Sequence, residues 1–136
     1  MRVTMTLSLP REASAVPRAR QVLTTLLSLT AASDACRADL AVLISEACAN
    51  AVRHADPEST VDISIVIDDE TCLLEVGNRG RTPDSGRFAA GLPDPLTVGG
   101  RGLPLIAALA DTAGFVAGEP DRVLLRMEKH LTDVRR

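Results

Sequence analysis

The stretch "LISEACANAVRHA", Leu43 to Ala55, decides how the chain is read. Between Ala41 and Val52 the only charged residue is Glu46, in a run that otherwise suits a helix core. At about 100° per residue, Leu40, Leu43, Ile44, Ala47 and Ala51 fall on one apolar stripe. Glu46, Asn50 and His54 step along a line beside that stripe, about 40° apart. They therefore share a face at the rim of the core. An ionised carboxylate there is costly unless something pairs with it. Asparagine offers an oxygen suited to a hard cation such as Mg²⁺, and glutamate can take a proton from an attacking hydroxyl or water. The plainer alternative is a polar stripe on a half-exposed helix, with Asn50 and His54 bonded to neighbouring loops.

Outward from this helix the elements follow in order. Ser33 and Asp34 can cap its start, and His54 marks its end. Before it, Ser14 to Thr30 repeats Val16, Ala19, Leu23, Leu26 and Leu27 at helical steps. "VTMTLSL", Val3 to Leu9, alternates as a half-buried strand, and Pro10 ends it. After the helix, "VDISIVID" sets Val61, Ile63, Ile65 and Ile67 on one face. "TCLLEV" follows across Asp68-Asp69-Glu70, which makes an antiparallel hairpin. Arg79 to Gly100 is rich in Gly, Pro and Asp and has no period, as expected of a functional loop. A third helix begins near Gly102, with Pro104 in its first turn, and Gly114 ends it. "GFVAG" and "RVLLRME" make a last hairpin. The order β-α-α-β-β-loop-α-β-β does not alternate, which excludes a wholly parallel doubly wound sheet. The expected fold is α+β: a two-layer α/β sandwich, its sheet mixed but mostly antiparallel, with helices on one face.

Composition limits the function. At 136 residues the chain fits one domain, 1–136, with a core of its own. Aromatics are 1%, without Trp or Tyr, which leaves no platform for stacking nucleobases. The net charge of −3 argues against a nucleic-acid surface. No apolar run reaches the length of about eighteen residues that a membrane span needs. Cys36, Cys48 and Cys72 fit neither a disulfide framework nor a zinc site, so they read as reduced thiols of a cytoplasmic protein.

Two further stretches carry chemistry. In "GGRGLPLI", Gly99 to Ile106, glycines at a loop-to-helix junction expose backbone N–H groups, and the helix dipole favours an anion there. Arg101 adds positive charge between the glycines, so the preceding loop reads as a phosphate lid. Glycine beside a helix start is also a common structural device. In "EVGNRGRTP", Glu75 to Pro83, a strand runs out into glycines and Asn78 stands at its end. A turn asparagine would also satisfy that segment.

Together, "EACANAVRH", "VGNRG" and "GRGLPLI" resemble the histidine-kinase-like (Bergerat-type) ATPase family, and more narrowly the bacterial anti-sigma-factor serine kinases. The resemblance covers most of the chain. It implies an ATP- and Mg²⁺-binding protein-serine/threonine kinase that regulates transcription through an antagonist protein. Glu46 would be the catalytic base, and Asn50 would hold the metal. Asn78, Gly80, Gly100, Arg101, Gly102 and Leu103 would contact the nucleotide. It also implies a sigma factor or its antagonist as partner, and a homodimer. Two positions depart from the pattern. Asn78 stands where the family has an Asp that accepts from the adenine amino group. Arg122 falls near a Thr of the last hairpin that completes the adenine contacts. The asparagine amide can present either its oxygen or its NH₂, which would blunt base preference. These departures favour an alternative from another class: a binding module that acts by protein contact only.

Overall fold

Seven apolar side chains spaced two apart, from Val61 to Ile67 and from Cys72 to Val76, supply the floor of the core. All seven are at most 2% exposed. They belong to β2 (Thr60–Ile67) and β3 (Thr71–Arg79), the central hairpin of the sheet. In this computed structural model, residues 1–80, 102–116 and 120–132 are described. The remaining strands are β1 (Val3–Pro10), β4 (Thr112–Phe115) and β5 (Arg122–His130). The order across the sheet is β1-β2-β3-β5-β4, and every described pairing is antiparallel. Helices α1 (Ala15–Leu27), α2 (Asp34–His54) and α3 (Gly102–Leu109) lie against one face. This is the α+β sandwich that the element order implies. No helix among the described residues is long and apolar enough to cross a membrane.

The opening helix behaves as its sequence says. The Ser33 side chain accepts from the Cys36 amide at 3.1 Å, which caps α2. Leu40, Leu43, Ile44, Ala47 and Ala51 are all buried. The turn before β3 is equally local: the Asp68 carboxylate accepts from the amides of Glu70 and Thr71, and these bonds lower its pKa.

Three boundaries differ from expectation. β3 does not stop at Val76 but continues to Arg79, so Asn78 lies within a paired strand opposite Val123. α3 ends at Leu109, and Gly114 sits inside β4 instead of closing a helix. The reason lies in β5. Its Glu128 carbonyl accepts from the Asp111 amide at 2.9 Å, and its His130 amide donates to the Asp111 carboxylate at 2.6 Å. Those bonds pull the chain out of helix before Thr112. Lys129 finishes the end of α3: its Nζ donates to the Leu109 carbonyl at 2.6 Å and pairs with Asp39 of α2 at 3.3 Å. The loop expected as a lid, along with Gly100 and Arg101 of the expected phosphate turn, lies outside the described residues beyond Gly80.

The three thiols are free and buried. Burial pushes Cys48 up to about 12, and it does the same to Cys72 with smaller additions from Cys36 and Asp68. Each folded-state value lies above the ordinary 9.0, so the stability involved is complete below that pH and is lost as pH rises. Unfolding free energy from urea titrations is expected to fall above about pH 9, by about 1.4 kcal/mol per pH unit for each thiol. Cys48→Ala should remove one thiol's share of that slope.

Candidate functional site

α2 runs toward the end of the sandwich where β3 leaves the sheet. Its start is fixed at the opposite end, where the Ser33 amide donates to the Leu131 carbonyl at 3.1 Å. At its finish, Ala55 forms an isolated antiparallel bridge with Gly80. The Asp56 amide donates to the Arg79 carbonyl at 2.8 Å, and the Gly80 amide donates to the Asp121 carbonyl at 2.9 Å. Ser59, 6% exposed, accepts from the Arg79 amide at 2.9 Å and donates to the Thr60 carbonyl. The last turn of α2, the end of β3 and the start of β5 are thereby joined.

Gly80 is the residue that permits this contact. Its φ is +153°, and a Cβ there would lie 2.9 Å from the His54 carbonyl oxygen. No side chain fits without moving backbone. Its amide is occupied by Asp121, so its part in the site is to bring the two elements together.

Above this junction stand the side chains singled out in the sequence. Asn50 is buried at 9% exposure, Glu46 one turn earlier is half-buried, and His54 one turn later is exposed. The line of three thus climbs from the rim of the core into solvent. Among the described residues neither Glu46 nor Asn50 has a hydrogen-bond or ion-pair partner. Burial lowers the His54 pKa, and neighbouring Arg53 lowers it further.

Asn78 is 3% exposed and shares the helix-facing side of β3 with Cys72, Leu74 and Val76. Its Nδ2 donates to the Arg79 carbonyl at 3.0 Å, leaving Oδ1 without a partner among the described residues. The flipped amide would set two acceptor oxygens against each other. The site is therefore offered the Oδ1 acceptor, while one of the two Nδ2 hydrogens is spent on the Arg79 carbonyl. Arg122 is not beside Asn78. It lies on the other face of the sheet, 3.7 Å from Asp62 and close to Gly77. Strand alternation gives the place next to Asn78 to Val123, 4% exposed, which sequence reading missed because it lacked the register.

Lys129 ties the last carbonyl of α3 to β5 near the end of the sheet away from Asn78. The helix packs against α2, with Ile106 fully buried. Glu46 and Asn50 on the later turns of α2 and Asn78 near the end of β3 thus belong to the end of the sandwich that the Ala55–Gly80 bridge joins.

Residues 9–129 match the family described as Histidine kinase-like ATPase domain, and the chain belongs to that family. Comparison with curated proteins returned no match. The chain is similar to the RsbU and RsbW domains of Rv1364c from Mycobacterium tuberculosis, at 19% identity and a TM-score of 0.72. That likeness covers 95% of this chain and 32% of the solved one, so this chain spans about a third of its length. The SiaB–SiaC complex from Pseudomonas aeruginosa gives 17% identity and a TM-score of 0.62, covering 91% and 88%. The catalytic domain of histidine kinase ThkA gives 12% and 0.60, covering 96% and 97%. At such identities the likeness establishes the fold.

Gly80→Ala should destabilise the protein by about 2 kcal/mol or more in urea unfolding, since both its φ and its contact with the His54 carbonyl are unfavourable to Cβ. The His54 pKa lies below its unfolded value, so stability should fall as pH drops through about 6.5. His54→Gln should flatten that part of the stability profile.

Proposed function

We propose that the chain is an ATP-binding protein-serine/threonine kinase of the anti-sigma type, cytoplasmic and homodimeric, acting on a Ser or Thr of a small antagonist protein. The observation that carries this reading is the pair Glu46 and Asn50. They are one turn apart at the rim of the core and without partners among the described residues, on the helix whose end is joined to the strand end that carries Asn78. No polar side-chain atom of either residue is both fully buried and unpaired, so both face water that a ligand could displace. The described residues contain no group of His, Cys, Asp and Glu able to hold a metal ion. Mg²⁺ bound mainly through phosphate and water needs no such cage, and one side-chain oxygen from Asn50 suits it. These residues therefore fit Mg-ATP.

When bound, Mg²⁺ neutralises the charge spread over the transferring phosphoryl group. Asn50 would position the ion, and N–H groups near Gly100, Arg101, Gly102 and Leu103 would hold the phosphates. Glu46 would orient the substrate hydroxyl and take its proton as the oxygen bonds to the γ-phosphorus. The bond to the β-phosphate oxygen breaks in the same event, and ADP carries away that electron pair. Asn78 would accept from the adenine amino group through Oδ1. This is a neutral acceptor in place of the family's charged one, worth about 1 kcal/mol less. Two of the solved relatives are described with a second protein or domain, RsbU in one and SiaC in the other, which supports a protein partner here.

Asn78 and the apolar Val123 beside it favour the second reading, a module that works by contact alone. Calorimetry with ATP, with and without Mg²⁺, separates the two. Weak Mg²⁺-dependent binding is expected. Asn50→Ala should lose the Mg²⁺ dependence, and Asn78→Asp should tighten ATP binding by up to about tenfold, less the cost of losing the bond from Nδ2 to the Arg79 carbonyl. Glu46→Gln should hold nucleotide affinity within a few-fold while abolishing phosphoryl transfer to a substrate protein. If neither the parent nor the Asn78→Asp variant binds ATP, the contact-only reading stands.

A further inference from the structure

Among the described residues β1 is an edge strand of eight residues, paired with β2 on one side only. Not one of its residues from Val3 to Pro10 is charged. Long uncharged edges invite another strand, and proteins usually blunt them with charge, a bulge or a covering element. The opposite edge, β4, has only four residues.

The cover behind β1 is also incomplete. Its helix-facing residues Leu7 and Leu9 are half-buried and Met5 is 37% exposed, whereas those of β2 are at most 2% exposed. A groove of about 540 Å³ runs between β1 and α1, floored by Met5, Leu7, Leu9, Val22 and Leu26 and rimmed by Arg18. A strand added beside β1 would lie about 4.8 Å further out and turn alternate side chains over this groove.

Charge identifies the occupant. Among the described residues Arg18 is the one charged residue lining the groove, while Arg20 and Arg37 are bonded away from it, to Ser45 and to the Thr30 and Ala32 carbonyls. The carboxylates beside β1 are already engaged, Asp69 by the Met1 ammonium and Asp62 by Ser8. Arg11, at the end of the strand, has a buried Nε with no acceptor. A second copy is the poorer occupant, because antiparallel pairing of β1 with itself would bring each Arg2 toward the Pro10–Arg11 end of the other copy.

We propose that the free edge of β1 and the groove behind it dock an extended acidic segment of a partner protein as a sixth strand. Alternate apolar side chains of that segment fill the groove, and its carboxylates meet Arg11 and Arg18. Main-chain bonds give affinity in such strand addition, and the pockets for alternate side chains give selectivity. This docking does not depend on the nucleotide reading and should be unchanged by Mg-ATP.

The test is selection of a random twelve-residue peptide library on phage against the full chain. Enriched peptides should alternate apolar with Asp or Glu. In fluorescence anisotropy, a synthetic peptide of the enriched sequence should bind at least tenfold more weakly to Arg18→Glu and to Met5→Glu. Both positions are exposed, and thermal melts should show both variants folded. Hydrogen exchange should slow within residues 3–10 when the peptide is added. No enrichment, a basic or uncharged consensus, or binding indifferent to both substitutions would overturn the proposal. So would protection of β1 that grows with chain concentration alone, which would assign the edge to a second copy.

Discussion

The contact between the last turn of α2 and Gly80 sets the geometry on which the rest depends. The helix delivers Glu46 and Asn50 at defined heights, and the strand delivers Asn78 at a defined depth. Those coordinates acquire a common origin only because the backbones touch at Ala55 and Gly80. The neighbouring bonds from Asp56 and Ser59 to Arg79, and from Gly80 to Asp121, repeat the constraint from three directions. A helix and a sheet packed through side chains alone slide with every change of side-chain size. Joined through backbone, they do not.

The sheet has two unlike faces, and that asymmetry organises the chemistry. The helix-facing side carries the core and, at its rim, Asn78 and Val123. The other side carries pairs such as Arg126 with Glu75 at 2.6 Å and Arg122 near Asp62. Those exposed pairs add little stability, as surface ion pairs do. They place charge on the face that the helices leave open.

α2 was legible because independent signals agree on it: a capping serine, an apolar stripe with a helical period, and a polar line offset from the stripe. The strands β2 and β5 were legible from alternation. What failed did so for identifiable reasons. Gly77 and Asn78 are turn residues by local preference, yet pairing with β5 keeps them in strand. Residues 110–113 favour helix by composition, yet bonds from Asp111 to β5 remove them from it. Arg122 and Val123 could not be told apart without the register, because a shift of one residue exchanges the faces. The alternation of β1 announced a half-buried strand but not that it was an edge. The family's site residues were named from three motifs, while Ser59 and Asp56, which brace the strand end, belong to no motif.

Lys129 has a mechanical consequence. It fastens the C-terminal end of α3 to β5 and, through Asp39, to α2, while the opposite end carries no such clasp among the described residues. An eight-residue helix is about 12 Å long. A tilt of about 10° around Leu109 would swing its tip through about 2 Å. The same tilt would displace Ile106, about 4.5 Å from Leu109, by less than about 1 Å, so the start of the helix is the part whose position the core constrains least.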